Sequence, residues 1–174
     1  MVYPYRGRNF SVRLVSHKVR SVSEQFEVVV RPPVALCIPL TRAGRLVLIR
    51  QFRPALAKVT LEFPAGGIEA GESADKAVRR ELMEEAGFAV ERIASLGTIV
   101  TAPHFSDETI AAFIARGEIA SLPKPTAKED LREIVELSPA EVRRHIDRGR
   151  LVDSKSMSAY LLASARGSAY GVDL

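Results

Sequence analysis

The stretch RRELMEEAGF, Arg79 to Phe88, reads as a helix whose charges lie in unexpected places. Successive helical residues rotate by about 100°, so counted from Val78, Leu82 falls at about +40°, Ala74 at about −40° and Ala86 at about +80°. Those residues define an apolar stripe. Glu81, at about −60°, and Glu85, at about −20°, fall inside or beside it, while Lys76, Arg79, Arg80 and Met83 take the far side. A buried carboxylate is costly unless something positive meets it. Two readings are open: the glutamates reach past the rim to water, or a cation sits against them.

The sequence on either side supports a helix of defined length. Ser73 is placed to cap its N-terminus, Asp75 lies in the first turn, and Gly87 stands where a C-terminal cap falls. Upstream, LEFPAGGIEAGES carries Pro64, Gly66, Gly67 and Gly71 and is expected to break regular structure, as a loop that lets backbone approach a ligand closely. Two carboxylates at i and i+4 can share one hard cation or hold one each of a pair, with Glu84 joining through water. Backbone carbonyls of the loop would complete an all-oxygen site, which suits Mg²⁺ or Mn²⁺ and not zinc or copper. Such ions act most often on phosphates.

The remainder of the chain reads as one mixed α/β domain. Its 174 residues, 47% hydrophobic, suffice for one substantial core. Phe10 to Leu40 reads mostly as strands: FSVRLVSHKV alternates in part, FEVVV is β-branched, and VALCIPL is a continuous apolar run suited to a buried strand. A turn at Ala43-Gly44 precedes another strand, and Ile93–Thr101 and Thr109–Ala115 read as two more around the loop APHFSDE. LPKPTAKEDLR is a polar loop and EIVEL a short strand. Ser138-Pro139-Ala140-Glu141 forms a capping box with proline at the first helical position. That helix stops at Gly149, and Asp153 caps a last one ending at Gly167.

The net charge of +4 is spread over scattered arginines with no basic run, so no nucleic-acid partner is expected. No stretch approaches 18 uninterrupted apolar residues, so no membrane span is expected. Cys37 is the sole cysteine, and the N-terminus lacks the apolar run of a secretory signal; both lead to the expectation of a reducing cytoplasm.

Gly66, five residues, Glu72, seven residues, then Arg80-Glu81-Leu82-Met83-Glu84-Glu85-Ala86-Gly87-Phe88 resembles the Nudix box without a departure. The resemblance implies the Nudix fold, a mixed β-sheet sandwiched between α-helices and here preceded by an N-terminal antiparallel β segment over residues 1–40. It also implies hydrolysis of a nucleoside diphosphate linked to another group. Glu81 and Glu85 would ligate metal, Glu84 would be an outer or second-metal ligand, and the carbonyl of Ala65 a further ligand. Gly66 would line the substrate, and Arg80 would orient the glutamates by a salt bridge.

The rest of the chain resembles the ADP-ribose and nucleoside-diphosphate-sugar pyrophosphatase branch. LIRQFRPA, LEFPAGGIEAGE, APHFSDE and RGRLVDSKSMSAYLL each resemble a segment of it, and Pro103 lies 15 residues beyond Phe88, the spacing associated with ADP-ribose hydrolases. In that branch the arginine matching Arg53 binds the substrate's phosphates, which suits a planar guanidinium. The glutamate matching Glu108 would lie near the terminal sugar. His104 stands where the branch usually has glycine. Glu129, in TAKEDLR, aligns best with the branch's catalytic base or third metal ligand, and Asp130 is the alternative.

The resemblance thus implies cleavage of ADP-ribose to AMP and ribose 5-phosphate, or of a related nucleotide sugar, with two to three Mg²⁺ or Mn²⁺ ions. Family members dimerise through N-terminal strands, so a homodimer is expected. The alternatives are another Nudix substrate (GDP-mannose, ADP-glucose, a nucleoside triphosphate) or a non-catalytic module that binds nucleotide sugars as a regulator.

Overall fold

Pro32 and Pro33 separate two sheets, because proline has no N–H to give a ladder and fixes its own φ. The computed structural model describes residues 2–121 and 133–166; Glu129, Asp130 and the whole of LPKPTAKEDLR lie outside them. Before the prolines, β1 (Val2–Arg6), β2 (Ser11–Val19) and β3 (Val22–Val30) form an antiparallel sheet in that order. The β2–β3 hairpin pairs from Ser11↔Val30 to Val19↔Val22. It turns at Arg20 and Ser21, both at positive φ, as a two-residue hairpin turn requires.

After the prolines come β4 (Val34–Thr41), β5 (Leu46–Arg53), a 3-10 turn at Pro54–Leu56, β6 (Lys58–Glu62) and β7 (Ala65–Gly67). Then follow α1 (Ala74–Ala86), β8 (Phe88–Val100), β9 (Thr109–Ile119), β10 (Glu133–Leu137), α2 (Pro139–Asp147) and α3 (Ser154–Arg166). The second sheet has the order β10-β5-β4-β9-β8, with β6 on β5 and β7 on β4. It is mixed: β4 and β9 run parallel, whereas β4–β7, β5–β6, β5–β10 and β8–β9 are antiparallel.

The sheet is covered on both faces, which is why VALCIPL reads as an unbroken apolar run. Leu36, Ile38 and Leu40 point to one side, against Phe63, Val142 of α2 and Ala159, Tyr160 and Ala163 of α3. Ala35 and Cys37 point to the other, against Ala77, Val78, Leu82 and Ala86 of α1. The sandwich of helices around a mixed sheet is therefore present.

Several boundaries differ from the sequence reading: β8 begins at Phe88 and not Ile93, and β9 continues to Ile119 and not Ala115. The N-terminal sheet ends at Val30 and not near residue 40, because a run buried on both faces belongs in the middle of the main sheet. Regular structure also persists into LEFPAGG: β6 runs through Glu62, and Ala65–Gly67 pairs with β4. The helix ends fall as expected. Ser73 takes extended N-cap geometry without a side-chain bond to the helix backbone, and Gly87 closes α1 at φ 59°. The Ser138–Glu141 capping box forms in both directions, and Asp153 Oδ2 accepts from Ser156 N at 3.0 Å. No described helix is long and apolar enough to cross a membrane.

Candidate active site

The loop before α1 is strapped to the sheet on both sides. Cys37 N donates to Pro64 O (3.1 Å) and Ile68 N to Pro33 O (2.9 Å), with Ala35 opposite Gly66 between them. Gly66 lies directly on Glu81. A Cβ at Gly66 would stand 1.9 Å from Glu81 Cδ and 2.0 and 2.3 Å from its two oxygens. Glycine is therefore what lets the Glu81 carboxylate stand here, and not a backbone requirement, since the φ of Gly66 is not left-handed.

One turn further along, Glu85 is buried, at 3% exposure, and its Oε2 accepts from Ala65 N at 2.9 Å. Both glutamates of the apolar stripe thus turn toward the same short segment, Ala65-Gly66. Glu84 is the outlying member, its side chain 59% exposed.

Arg80 reaches back from the solvent side of α1 and joins these groups, a reach that its position on the helical wheel does not reveal. Its Nε and Nη2 donate to Glu72 Oε1 (3.0 Å) and Oε2 (2.9 Å), a bidentate grip. Nη1 donates to Glu81 Oε1 at 2.6 Å and to Glu84 Oε2 at 3.4 Å, and Nη2 also reaches Gly67 O at 2.9 Å. These contacts, Glu72's first, hold the guanidinium charged well above its ordinary pKa, and Arg80 in turn lowers that of Glu72.

The donor set fits a hard divalent ion: carboxylates one turn apart, beside a glycine that leaves room for them. Among the described residues, no three His, Cys, Asp or Glu side chains form a group that could hold an ion by themselves. An ion here would draw further oxygens from backbone, water or substrate.

A second cluster surrounds Arg53, and its other members carry no site assignment from the sequence. Arg53, expected to face phosphate, grips buried Glu62: Nε donates to Oε1 at 2.7 Å and Nη2 to Oε2 at 2.5 Å. Thr60 Oγ1 also donates to Glu62 Oε1. Lys155 of α3 donates to Glu62 Oε2 (3.1 Å) and Asp153 Oδ1 (2.6 Å), and Ser156 Oγ donates to Asp153 Oδ2 while accepting from Phe63 N. Burial alone would raise the Glu62 carboxyl, but hydrogen bonds from Arg53 and Thr60 and the charges of Lys155 and Arg53 outweigh it, bringing its pKa down to about 2. The Arg53 guanidinium, held charged chiefly by Glu62, also lies in the field of Asp153 and Glu85, which links the two clusters. A carboxylate inside the apolar LEF run was the available signal for Glu62. Nothing local marked Lys155 as its partner.

The APHFSDE loop reaches the same end of the sheet. Gly67, Val34 and Ile110 are successive partners across β7, β4 and β9. Two strand spacings of about 4.8 Å each separate β7 from β9. Glu108, just before β9, accepts from Thr101 Oγ1 at 3.1 Å and pairs with Arg31 Nε at 3.2 Å. Arg31 was also missed by the sequence reading. Pro103 is exposed in the turn, and His104 meets Phe105 edge to face at 4.5 Å between ring centroids. The loop is tied to the N-terminal sheet by Val29 N donating to Phe105 O and Asp107 N to Val29 O. Glu129 lies outside the described residues.

Comparison with known proteins extends these observations. The family description NUDIX domain matches residues 30–160. A protein of Bacillus methanolicus named methanol dehydrogenase activator is 32% identical over 157 residues, covering 86% of this chain and 85% of that protein. An ADP-ribose pyrophosphatase of Bacillus subtilis (strain 168) is 27% identical over 135 residues, covering 76% and 72% respectively. The crystal structure of an ADP compounds hydrolase shares the fold with a TM-score of 0.84, over 99% of this chain and 94% of that one, at 23% identity.

Proposed function

This chain belongs to the NUDIX family, and we propose that it hydrolyses the diphosphate bond of ADP-ribose, or of a related nucleoside-diphosphate sugar, with AMP and ribose 5-phosphate as the products from ADP-ribose. The observation that carries this reading is the pair Glu81 and Glu85 turned toward Ala65-Gly66, with Arg80 holding Glu72 and Glu81. The Bacillus subtilis relative supports the choice of substrate.

Divalent-metal use comes with the family; two to three Mg²⁺ or Mn²⁺ ions are our proposal, held by Glu81, Glu85, the Ala65 carbonyl and Glu129, with Glu84 as outer ligand. When bound, such ions neutralise diphosphate oxygens and make water a better nucleophile at neutral pH. The chain's own groups do the rest. Arg53 meets the diphosphate with the guanidinium hydrogens that Glu62 does not take, while Glu62, itself fixed by Lys155, orients it. Gly66 leaves room for the substrate's phosphates beside Glu81. Glu129, or Asp130 in its stead, takes the proton from the attacking water. The water oxygen joins one phosphorus, the P–O–P bridge breaks, and the other phosphate leaves with its bridging oxygen. Glu108 and Pro103 shape the end that receives the terminal ribose, and His104 narrows it.

Exposed Val2, Tyr5, Phe10, Val22 and Phe26 on the N-terminal sheet support a homodimer formed through that sheet. A monomer in sedimentation at micromolar concentration would rule it out. Cys37, buried and free, supports residence in the cytoplasm. No nucleic-acid partner is proposed.

The test is a panel of ADP-ribose, ADP-glucose, GDP-mannose, a dinucleoside polyphosphate and a nucleoside triphosphate, with Mg²⁺ and then Mn²⁺. A preference for ADP-ribose of about tenfold or more in kcat/KM is expected. Preference for another sugar nucleotide would place the divergence at His104. The Bacillus methanolicus relative favours a second reading, a regulatory module acting on an oxidoreductase. Tight nucleotide binding without turnover of any substrate would bring that reading forward.

A further inference from the structure

Outside the glutamate and Arg53 clusters, positive charge gathers along α2 and the turn that follows it. Leu137, Glu141, Arg144, His145, Arg148 and Arg150 line a cavity of about 130 Å³. One water needs only ~10–15 Å³ of such space, so a phosphate group can be accommodated. None of these residues belongs to the site described above.

The shape of the cavity follows from the end of α2. Arg150 N and Leu151 N both donate to His145 O, at 2.8 and 3.1 Å, so the chain folds back over the last turn. That reversal brings Arg150 beside His145 and Arg148, two positions a straight helix would carry it away from. Arg144 and Arg148, one turn apart, share a helix face.

The charges of the cavity are not balanced from within. Glu141 is the lining carboxylate, and it is already engaged. Its Oε2 accepts from Ser138 N and Oγ at 2.8 and 2.9 Å, and Arg45 and Arg144 lie 3.5 and 4.0 Å from its oxygens. Among the described residues, the side chains of Arg148 and Arg150 have no ion-pair or hydrogen-bond partner. His145 adds no charge to offset: burial first, then Arg150, Arg50 and Arg148, hold its imidazole below the usual histidine pKa. Arginines at a helix C-terminus gain some stabilisation from the carbonyls there. That reason does not reach Arg150, which lies beyond the helix and is turned back toward the others. Guanidinium groups brought together this way match the oxygens of a phosphate dianion in geometry and charge.

We propose that this cavity is a phosphate-binding site distinct from the hydrolytic one, in which Arg148 and Arg150 grip a free phosphate or a terminal phosphate monoester and Arg144 backs them.

The experiment is calorimetric titration of inorganic phosphate, AMP and ribose 5-phosphate into the full chain without added divalent ion, for wild type, R148A/R150A and R53A. All the replaced arginine groups of the double variant are exposed, so its fold should be unaffected. One phosphate per chain is expected in the wild type, weakened at least tenfold in R148A/R150A and within about twofold of wild type in R53A. Binding of all three ligands with similar affinity assigns the site to phosphate monoesters; binding of inorganic phosphate alone assigns it to free phosphate. No phosphate binding to the wild type overturns the proposal. So does binding that survives R148A/R150A, whether or not R53A removes it.

Discussion

The carboxylate of Glu81 lies so close over Gly66 that a methyl group there would fall 1.9 Å from its Cδ. The contact joins a loop residue to a helix residue fifteen positions on, and it sets where that carboxylate can stand. The backbone of Gly66 does not need glycine's left-handed freedom, so the site needs its missing side chain.

Gly66→Ala is therefore a test of placement and not of folding. Glu81 is a flexible side chain and can swing aside, so melting should fall by only a few degrees, equivalent to about 1 kcal/mol. Displacing the carboxylate should lower kcat/KM about a hundredfold, or about 2.7 kcal/mol. A variant with wild-type kcat/KM would show that the position of Glu81 does not matter to the reaction.

Glu85 and Glu84 are adjacent in sequence, but the helix puts one in the interior and the other in water. Glu85→Gln should remove a charged ligand and lower kcat on the order of a thousandfold, while Glu84→Gln should lose about tenfold or less. Activity titrated against Mg²⁺ checks both, and Glu85→Gln should also require more metal. Equal effects of the two substitutions would mean that burial does not distinguish their roles.

Glu62 makes acid stability measurable. Its folded pKa of about 2 lies below the ordinary 4.5 of the unfolded chain, so the unfolded state binds the proton more readily. The stabilisation is complete above about pH 4.5 and is lost as pH falls toward 2. At about 1.4 kcal/mol per pKa unit it amounts to about 3 kcal/mol. Tm measured against pH should fall across that window in the wild type and much less steeply in Glu62→Gln. Lys155→Met removes one of the cations and should reduce the slope by a smaller amount. A Glu62→Gln profile parallel to wild type would show that another carboxylate governs acid unfolding.

The acid that accepts the proton of water is separable by kinetics. Glu129→Gln should lower kcat about a hundredfold with little change in KM, and Asp130→Asn should stay within about threefold of wild type, since general-base catalysis is worth about that much. Glu108→Gln should act mainly on KM. A hundredfold loss confined to Asp130→Asn or Glu108→Gln would reassign the base.

How much of this was legible beforehand follows from the range of the interactions. The apolar stripe of α1, its glutamates, the Gly87 cap, the Ser138–Glu141 box and the doubly buried VALCIPL strand all depend on neighbours within a few residues. Helical periodicity and local hydrogen bonding govern such features, and both can be read along the chain. The amino-acid sequence alone therefore determined that two glutamates, one turn apart, would lie on the apolar stripe of a helix behind a glycine-rich loop. It determined the mixed α/β class as well.

Long-range pairing decided the rest. The wheel put Arg80 on the outer face, but a guanidinium on a flexible stem reaches back to Glu72 and Gly67 once the loop has been folded over the helix. The Glu62–Lys155 pair spans 93 residues and exists because α3 packs across β4, β8 and β9 with its first turn at the end of β6. Arg31 meets Glu108 because the chain leaving the N-terminal sheet passes the loop before β9. Arg150 joins Arg148 through the backbone reversal after α2. The box resemblance implies Arg80 beside the glutamates, and the Arg150 reversal is local. No pattern along the chain encodes the Glu62–Lys155 or Arg31–Glu108 pairs, since each is chosen by which surfaces the packed sheet brings within reach.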